Sequence, residues 1–157
     1  MPDDVASRYT VRTIAGLTFP VDTTWDLDHV DGRIAVSHPP MPSDGFRPNL
    51  VIRRLAVPDG ISMARQSTVA FATDRALLTG VQYISDDVWP YGDRLGRMHV
   101  TVHRMASHTV VAQRWLLPLP GETIEATGSY TTEQAIEWEP MMRYMATHIV
   151  DASEGRT

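Results

Sequence analysis

The sequence predicts an α+β fold, in which an antiparallel β-sheet of about six strands is flanked by helices as an α/β/α sandwich. Five to seven short segments have the composition of strands, and most of them are joined by short turns, as in antiparallel sheets. Only two segments have apolar residues at helical spacing. The length of 157 residues suits one domain with its own core. We expect a single domain over residues 1–157, ordered from about 9 to 150.

The first part of the chain contains four predicted strands. A weakly alternating pattern predicts the first strand from Tyr9 to Leu17. Residues 22–28 (DTTWDLD) and 32–40 (GRIAVSHPP) predict two shorter strands, and residues 41–48 form a loop rich in Pro, Gly, Ser and Asp. Residues 49–57 (NLVIRRLAV) contain an apolar, β-branched run, which is typical of a strand buried on both faces.

The middle of the chain contains the first helix. Asp59-Gly60 is a turn signal, and apolar residues near helical spacing then predict a helix from Ser62 to Ala72. A further turn would carry this helix to Leu78, and Gly80 would then be its C-terminal glycine. Residues 81–88 (VQYISDDV) predict the next strand.

A hairpin and one more strand follow. Residues 97–106 are expected to pair with residues 109–117 around a turn at Ser107-His108, because both segments are rich in β-branched residues. The turn LPLPG precedes another strand, GETIEATGSY at residues 121–130.

The chain is expected to close with a helix. Thr131 and Gln134 have the spacing of a capping box, and Pro140 is expected to start a second helical segment because proline disrupts a helix interior. An apolar stripe marks the side of this helix that should face the core: Ile136, Trp138, Met142, Met145 and Ile149.

Composition excludes several classes of chemistry. The chain has no cysteine, and all fourteen basic residues are arginine. A thiol nucleophile, a disulfide, a Schiff-base lysine and a Walker-type lysine are therefore excluded. The net charge of -5 argues against binding to nucleic acid. An acidic N-terminus (MPDDVASRYTV) and the lack of a long apolar run predict a cytoplasmic protein with no membrane segment.

Three of the six histidines lie close together and raise the question of a metal site. His99 and His103 would share one face of a helix, as in zinc-binding HExxH motifs. The intervening VTV predicts a strand instead, on which residues four apart lie about 13 Å from one another. Zinc needs each nitrogen at about 2.0–2.1 Å, and His108 is placed farther away, at the hairpin turn. We therefore expect no metal site, and histidines that lie on a sheet face.

Other catalytic patterns are weak. The chain contains no GxSxG motif and no glycine-rich phosphate loop. The acidic pairs Asp86-Asp87 and Glu137-Glu139 are better explained as solvated charges at a strand and near a helix start. We therefore expect a protein that is not an enzyme and has no cofactor.

Two aromatic and methionine-rich segments are candidates for binding a protein partner. Residues 89–96 (WPYGDRLG) are interpreted as a polar-aromatic loop, in which Trp89, Tyr91 and Arg94 are of the types that dominate interface hot spots. Met141 and Met145 belong to the run MMRYM, and methionine suits adaptable binding surfaces. The alternative is that these rings cover the edge of the core and that the methionines pack inside it.

The order of elements, with PNLVIRR, HVTVHRM, VVAQRWLL and ETIEATGSY, resembles the Mog/PsbP-like fold. The similarity covers about residues 9–150, includes Gln113 in the central hairpin, and is nearest to actinobacterial LpqN-type lipoproteins and DcrB-type proteins. It implies a sheet between helices and relatives that bind proteins: a Ran GTPase partner, a photosystem subunit and chaperones of secreted toxins. It transfers no site residues. The LpqN-type lipoprotein cysteine is missing, which favours a cytoplasmic adaptor or chaperone.

Two functional hypotheses follow. The first is a non-enzymatic protein-binding module, adaptor or chaperone-like, that contacts a partner or its own copy. The alternative is a small-molecule-binding protein or small enzyme with a pocket between the sheet and a helix, lined by His99, His103 and Trp115.

Overall fold

The computed structural model describes residues 8–42 and 45–154. The predicted loop at 41–48 is thus described only in part, and the acidic N-terminal residues 1–7 lie outside the described residues. The described residues form ten strands: β1 Tyr9–Ile14, β2 Leu17–Asp22, β3 Asp26–Val30, β4 Arg33–Ser37, β5 Asn49–Ala56, β6 Thr79–Tyr91, β7 Arg94–Met105, β8 His108–Leu119, β9 Glu122–Thr131 and β10 Val150–Asp151. Two α-helices accompany them: α1 Met63–Leu77 and α2 Ala135–Thr147.

The strands form two antiparallel sheets. The larger sheet has seven strands in the order β3-β4-β5-β9-β8-β7-β6, and the smaller has the order β1-β2-β10. Helix α1 packs on one face of the large sheet, over β6, β7 and β8. Helix α2 packs on the opposite face, between the large sheet and β2. The predicted α+β class is therefore confirmed, with a larger sheet than the six strands expected. No helix in the described ranges is long and apolar enough to cross a membrane.

The first predicted strand is two strands. Ala15 and Gly16 both have positive φ, at 51° and 74°, and reverse the chain between β1 and β2. Glycine adopts positive φ at no steric cost. The sequence signal of this turn was weak, because alanine is not a typical turn residue. The predicted strand at 22–28 is also displaced: β3 begins at Asp26, and Trp25 lies buried before it.

Helix α1 is longer than its first predicted segment and ends differently. Ser62 caps it, because the Ser62 Oγ accepts a hydrogen bond from the Arg65 backbone N–H at 3.2 Å. The helix continues without a break to Leu77, and Leu78 is the C-cap. The assignment of Gly80 as C-terminal glycine is wrong, because Gly80 lies inside β6.

The predicted aromatic loop at 89–96 is a strand hairpin. Residues 89–91 end β6, Gly92 and Asp93 make a two-residue turn, and β7 begins at Arg94. Proline at position 90 is tolerated because β6 is an edge strand. The next turn also moves by one residue: it is formed by Ala106 and Ser107, and His108 begins β8.

Helix α2 is a single helix preceded by a 3₁₀ turn at Thr132–Gln134. The Gln134 Oε1 accepts a hydrogen bond from the Thr131 backbone N–H at 2.9 Å, which confirms half of the capping box. The predicted break at Pro140 is wrong, because the helix runs through it. Trp138, Met142, Met145 and Ile149 are buried as predicted, whereas Ile136 is 94% exposed.

Candidate functional site

The two faces of the large sheet have different chemistry. Because side chains alternate along a strand, each strand sends one set of residues toward α2 and the other toward α1. The α2 side is mainly apolar and buried, with Gln113 as a buried polar exception. Its buried apolar members include Ile34, Val36, Leu50, Ile52, Trp115, Leu117, Ile124 and Ala126. The expectation that residues 49–57 are buried on both faces is wrong, because Val51 and Arg53, on the α1 side, are only half-buried.

The α1 side of the sheet is polar. The cross-strand register places His99, Thr101 and His103 of β7 on this side, with Arg114 of β8 and Glu125 of β9. Helix α1 covers part of it with an unusual set of buried residues: Ser67, Ala70 and Asp74. Hydrogen bonds and ion pairs therefore hold α1 to the sheet where apolar packing holds α2.

Two ion pairs anchor this interface. The Arg114 guanidinium donates two hydrogen bonds to the Asp74 carboxylate, at 2.8 and 2.9 Å, and so ties α1 to β8. Arg53 of β5 donates to Glu125 at 2.8 Å, and Glu125 also lies 3.8 Å from Arg114. The charges therefore form one connected row across β5, β9, β8 and α1.

Ser67, His99 and Asp86 meet under α1, but not as a catalytic triad. Ser67 Oγ lies 3.1 Å from His99 Nε2, and an Asp86 oxygen lies 4.0 Å from the same nitrogen. A triad needs the carboxylate on the other ring nitrogen, where it orients the imidazole. His99 Nδ1 has no hydrogen-bond partner among the described residues. The serine is 2% exposed, so a substrate could not reach it.

Burial keeps both histidines of this face neutral. Desolvation lowers the pKa of His99 to about 4, against the opposing effect of the Asp86 carboxylate. Desolvation also lowers the pKa of His103, and neither of its ring nitrogens has a partner among the described residues. Residues 8–42 and 45–154 contain no group of three side chains placed to hold a metal ion.

A cleft opens beside α1, over β5 and β9. Its volume is about 250 Å³, and its floor carries the paired charges of Arg53, Glu125 and Arg114. Apolar side chains form the walls: Leu55, Val57, Ile61, Val69, Ala70 and Leu116. Beyond the cleft, α1 does not cover the strands β5, β4 and β3. We call this uncovered part the open half-face; its residues are Asp28, Val30, Arg33, Ala35, Val51, Arg53 and Leu55.

The outer side of α1 carries two charged side chains, Arg65 and Arg75, and a row of small residues. Its small residues recur every four positions and are all exposed: Ala64, Thr68, Ala72 and Ala76. Val69 is 52% and Leu77 is 76% exposed beside them. We call the outer side of α1 together with the open half-face the α1 surface.

The predicted partner-binding residues do not form one exposed site. Met141 and Met145 are core residues, at 3% and 0% exposure, so their assignment as partner anchors is wrong. Trp89 and Tyr91 pack against the core, and the Tyr91 hydroxyl donates to the Ile149 carbonyl at 2.9 Å. Arg94 is accessible but pairs with Glu154 at 3.1 Å. The alternative interpretation, that these residues finish the core, fits the structure better.

The predicted pocket residues are also separated. His99 and His103 lie on the α1 side, whereas Trp115 is fully buried on the α2 side. The three therefore do not line one pocket, because Trp115 pairs across the ladder with Met98, one position from His99. A pocket between the sheet and a helix does exist, at the cleft. The side of α1 that lines it carries Gln66, Val69, Ala70 and Thr73, whose spacings of three and four residues are the signal that the sequence contains.

Comparison with known proteins identifies the fold. No protein-family model and no curated protein matches the chain. Solved structures do match. Cyanobacterial PsbP (CyanoP) from Synechocystis sp. PCC 6803 has 9% identity over 92% of each chain, with a TM-score of 0.72. The Saccharomyces cerevisiae Ran-binding protein Mog1p has 10% identity over 92% of this chain and 95% of its own, with a TM-score of 0.64.

A third structure is LpqN of Mycobacterium tuberculosis, described as involved in cell envelope biogenesis. It has 12% identity over 90% of this chain and 89% of its own, with a TM-score of 0.60. The chain therefore has the Mog/PsbP-like fold, as the order of its elements indicated. At these identities the likeness concerns the fold, and function has to be argued from the site.

Proposed function

We propose that this chain is a non-enzymatic protein-binding module and that its partner contacts the α1 surface. The observation that carries the proposal is the outer side of α1, where the exposed charged side chains are Arg65 and Arg75. A row of small residues lies beside them: Ala64, Thr68, Ala72 and Ala76. Small side chains let a second backbone approach closely, and Val69 and Leu77 add apolar area.

The chemistry of the α1 surface also favours binding over catalysis. The charges in the cleft are already paired, Arg53 with Glu125 and Arg114 with Asp74. His99 is neutral and inaccessible at 1% exposure. A general base needs access to its substrate, which burial denies to His99, and a pKa near the working pH, which a pKa of about 4 is not.

An adaptor or chaperone-like role in the cytoplasm is the finer form of this proposal. One protein of similar fold, Mog1p, is described as a Ran-binding protein, so the fold is compatible with protein contacts.

The test compares two arginine substitutions at exposed helix positions. Val69→Arg places a charge in the wall of the cleft, whereas Ile136→Arg does so on α2, away from the α1 surface. Both variants should keep the melting temperature within a few degrees, because exposed substitutions change stability by about 0.5 kcal/mol or less. Tagged copies are expressed in the native host, and co-purifying proteins are quantified by mass spectrometry.

We expect a protein that co-purifies near one-to-one with the wild type and with Ile136→Arg, and whose amount falls at least tenfold with Val69→Arg, as a charge in an apolar contact would require. Equal recovery with both variants would contradict the use of the α1 surface. No stoichiometric protein with any bait would contradict the protein-binding function.

A small apolar ligand in the cleft is a second candidate function. The volume of about 250 Å³ and the apolar walls are the observations that favour it. Native mass spectrometry of the purified chain separates the candidates. A bound small molecule that is lost in Val69→Arg supports the ligand, and a protein of stoichiometric amount supports the binding module.

A further inference from the structure

The floor of the cleft beside α1 places a carboxylate between apolar side chains. The register of the sheet sets Glu125 of β9 between Arg53 of β5 and Leu116 of β8. Leu55 and Val69 add apolar surface to the walls. A wholly apolar ligand would strip water from the Glu125 carboxylate without replacing its hydrogen bonds, which costs free energy. The cleft therefore favours an apolar ligand that also carries a polar group.

The Glu125 carboxylate has one oxygen available to such a ligand. Its Oε1 accepts a hydrogen bond from Arg53 Nε at 2.8 Å. Its Oε2 lies 3.8 Å from Arg114 Nε, which is too far for a hydrogen bond, and accepts none from the residues in the described ranges. Solvent still reaches Oε2, although Glu125 is only 7% exposed. Because Glu125 lines the cleft, that access is through the cleft.

Two hydrogen-bond donors lie beside this acceptor. Arg53 uses Nε and Nη2 for Glu125, and its Nη1 has no partner among the described residues. Gln66 of α1 also lines the cleft, and its Oε1 accepts from Thr123 Oγ1 at 2.6 Å. This bond fixes the orientation of the Gln66 amide, whose Nε2 has no partner in the described part of the chain. The cleft thus offers both an acceptor and donors.

The charges around the cleft are balanced. Arg53 pairs with Glu125, and Arg114 pairs with Asp74. A charged ligand would find no opposite charge left to neutralise it, and an unpaired charge in a partly buried site is costly. Arg33 lies opposite Arg53 on β4, but it is exposed and does not line the cleft, so water and salt screen it. The balance favours a neutral ligand.

The volume of the cleft limits the size of the ligand. It is about 250 Å³. A closed cavity of about 150 Å³ holds one benzene ring. The cleft therefore has room for an apolar body of one ring together with a short polar arm.

We propose that the cleft binds a neutral alcohol with an apolar body of about one ring, whose hydroxyl donates to Glu125 and accepts from Arg53 or Gln66. This inference rests on the second candidate function and names its ligand class. One hydroxyl oxygen meets both demands, because it donates one hydrogen bond and accepts two. A carboxylate cannot donate to Glu125, and an ammonium group cannot accept from Arg53.

Four probes that share one ring test the proposal: benzyl alcohol, toluene, benzoate and benzylammonium. Each is titrated into the isotope-labelled full chain at pH 7, and binding is followed by the NMR shifts of the amides that line the cleft. We expect benzyl alcohol to have a dissociation constant at least about fivefold lower than each of the others, because a site with paired donors and acceptors rejects analogues that lack the hydroxyl.

Two variants should change which probe binds best. Glu125→Gln leaves Arg53 without its acid, so the preference should move at least about fivefold from benzyl alcohol toward benzoate. Arg53→Gln leaves Glu125 without its nearest cation and should move the preference toward benzylammonium by a similar factor. Glu139→Gln removes the acid of an ion pair on α2 and, as the matched control, should keep the wild-type order. Circular dichroism checks the folding of each variant.

The order of the probes on the wild type decides the proposal even where a variant does not fold. Toluene that binds as tightly as benzyl alcohol, a charged probe that binds most tightly, or no probe that shifts the cleft amides would each overturn it. If it is overturned while Val69→Arg still loses a co-purifying protein, the protein-binding function stands and only the ligand site is wrong. If the probes bind as expected and Val69→Arg loses no protein, the cleft is a ligand site and the protein-binding function fails.

Discussion

The two helices cover the same sheet on opposite faces, yet they are held there by different interactions. Helix α2 buries Trp138, Met141, Met142 and Met145 against an apolar face that is closed by the small sheet. Helix α1 buries Ser67 and Asp74 around one apolar residue, Ala70. The contrast shows that the two faces contribute unequally to stability, because only the α2 face contains enough apolar area to drive folding.

The same contrast explains the outer side of each helix. A helix held by polar contacts gains little from a strongly amphipathic sequence, so α1 can place small and apolar residues outward. Helix α2 has Arg143 and Glu139 on its exposed side, four residues apart in an ion pair.

The largest effect is expected in the apolar face. Met142 is 0% exposed, and its side chain lies within 3.2 Å of a Cβ placed on Gly128. Met142→Ala should lower the free energy of unfolding by about 2–5 kcal/mol, through lost burial and a cavity. Val69→Ala on α1, the control, should change it by about 0.5 kcal/mol or less. Urea denaturation measures both, and equal losses would remove the distinction between the faces.

Acid should weaken the α1 face selectively. The pKa of His99 is about 4 in the folded protein and about 6.5 when unfolded, so the unfolded state binds more protons between these values. The stabilisation is complete above pH 6.5 and is lost as the pH falls toward 4, by up to about 3 kcal/mol at 1.36 kcal/mol per pKa unit.

The His99→Gln variant isolates this contribution, because glutamine does not titrate and can still reach Ser67. Denaturation of both proteins from pH 7 to pH 4 gives the difference. We expect the wild type to lose more stability than the variant over this range. Parallel curves would show that His99 titrates normally and that α1 does not bury it.

A smaller effect is expected at the ion pair that ties α1 to β8. Asp74→Leu leaves the Arg114 guanidinium without its partner at 16% exposure, and should cost about 1–3 kcal/mol. Replacing Arg114 by leucine as well should recover most of that loss, since an apolar pair of similar shape carries no unpaired charge. A double variant less stable than Asp74→Leu alone would contradict a face held by paired charges.

The smallest effect on stability is expected on the outer side of α1. Ala72→Gln exchanges one good helix former for another at an exposed position, so the free energy of unfolding should change by about 0.5 kcal/mol or less. Association with the proposed partner should weaken nevertheless, because glutamine is too large for a close helix contact. Thermal unfolding measures the stability and sedimentation measures the association of the same samples. Unchanged association would show that Ala72 is not part of the contact.

The sequence predicted most elements of the fold, because a strand or helix with one buried face keeps a regular spacing of apolar residues. Alternation in HVTVH predicted the hairpin of β7 and β8. The spacing of apolar residues predicted the buried side of α2: Trp138, Met142, Met145 and Ile149. It failed at residues 89–91, where Pro90 and Gly92 suggested a loop. The edge strand β6 accepts the proline, and the glycine lies in the turn that follows it. It also failed at Ala15, whose positive φ is set by the hairpin geometry around it.

The candidate site was harder to predict, because it depends on which residues the fold leaves uncovered. His99 and Trp115 are both in β-branched strands, and only the register shows that they face opposite sides of the sheet. The paired Arg53 and Glu125 lie on neighbouring strands, β5 and β9, that are far apart in sequence. The row of small residues on the outer side of α1 could be recognised from the sequence, because these residues recur every four positions.

Native-state hydrogen exchange compares the two helices most directly. The central claim is that α2 belongs to the folding core, whereas α1 is a separately held binding element. In dilute solution, the amides of α1 should exchange through a local opening with a smaller free energy and little dependence on denaturant, and the amides of α2 should exchange only with global unfolding. Equal opening free energies in both helices would contradict the claim, because α1 would then be as much a part of the core as α2.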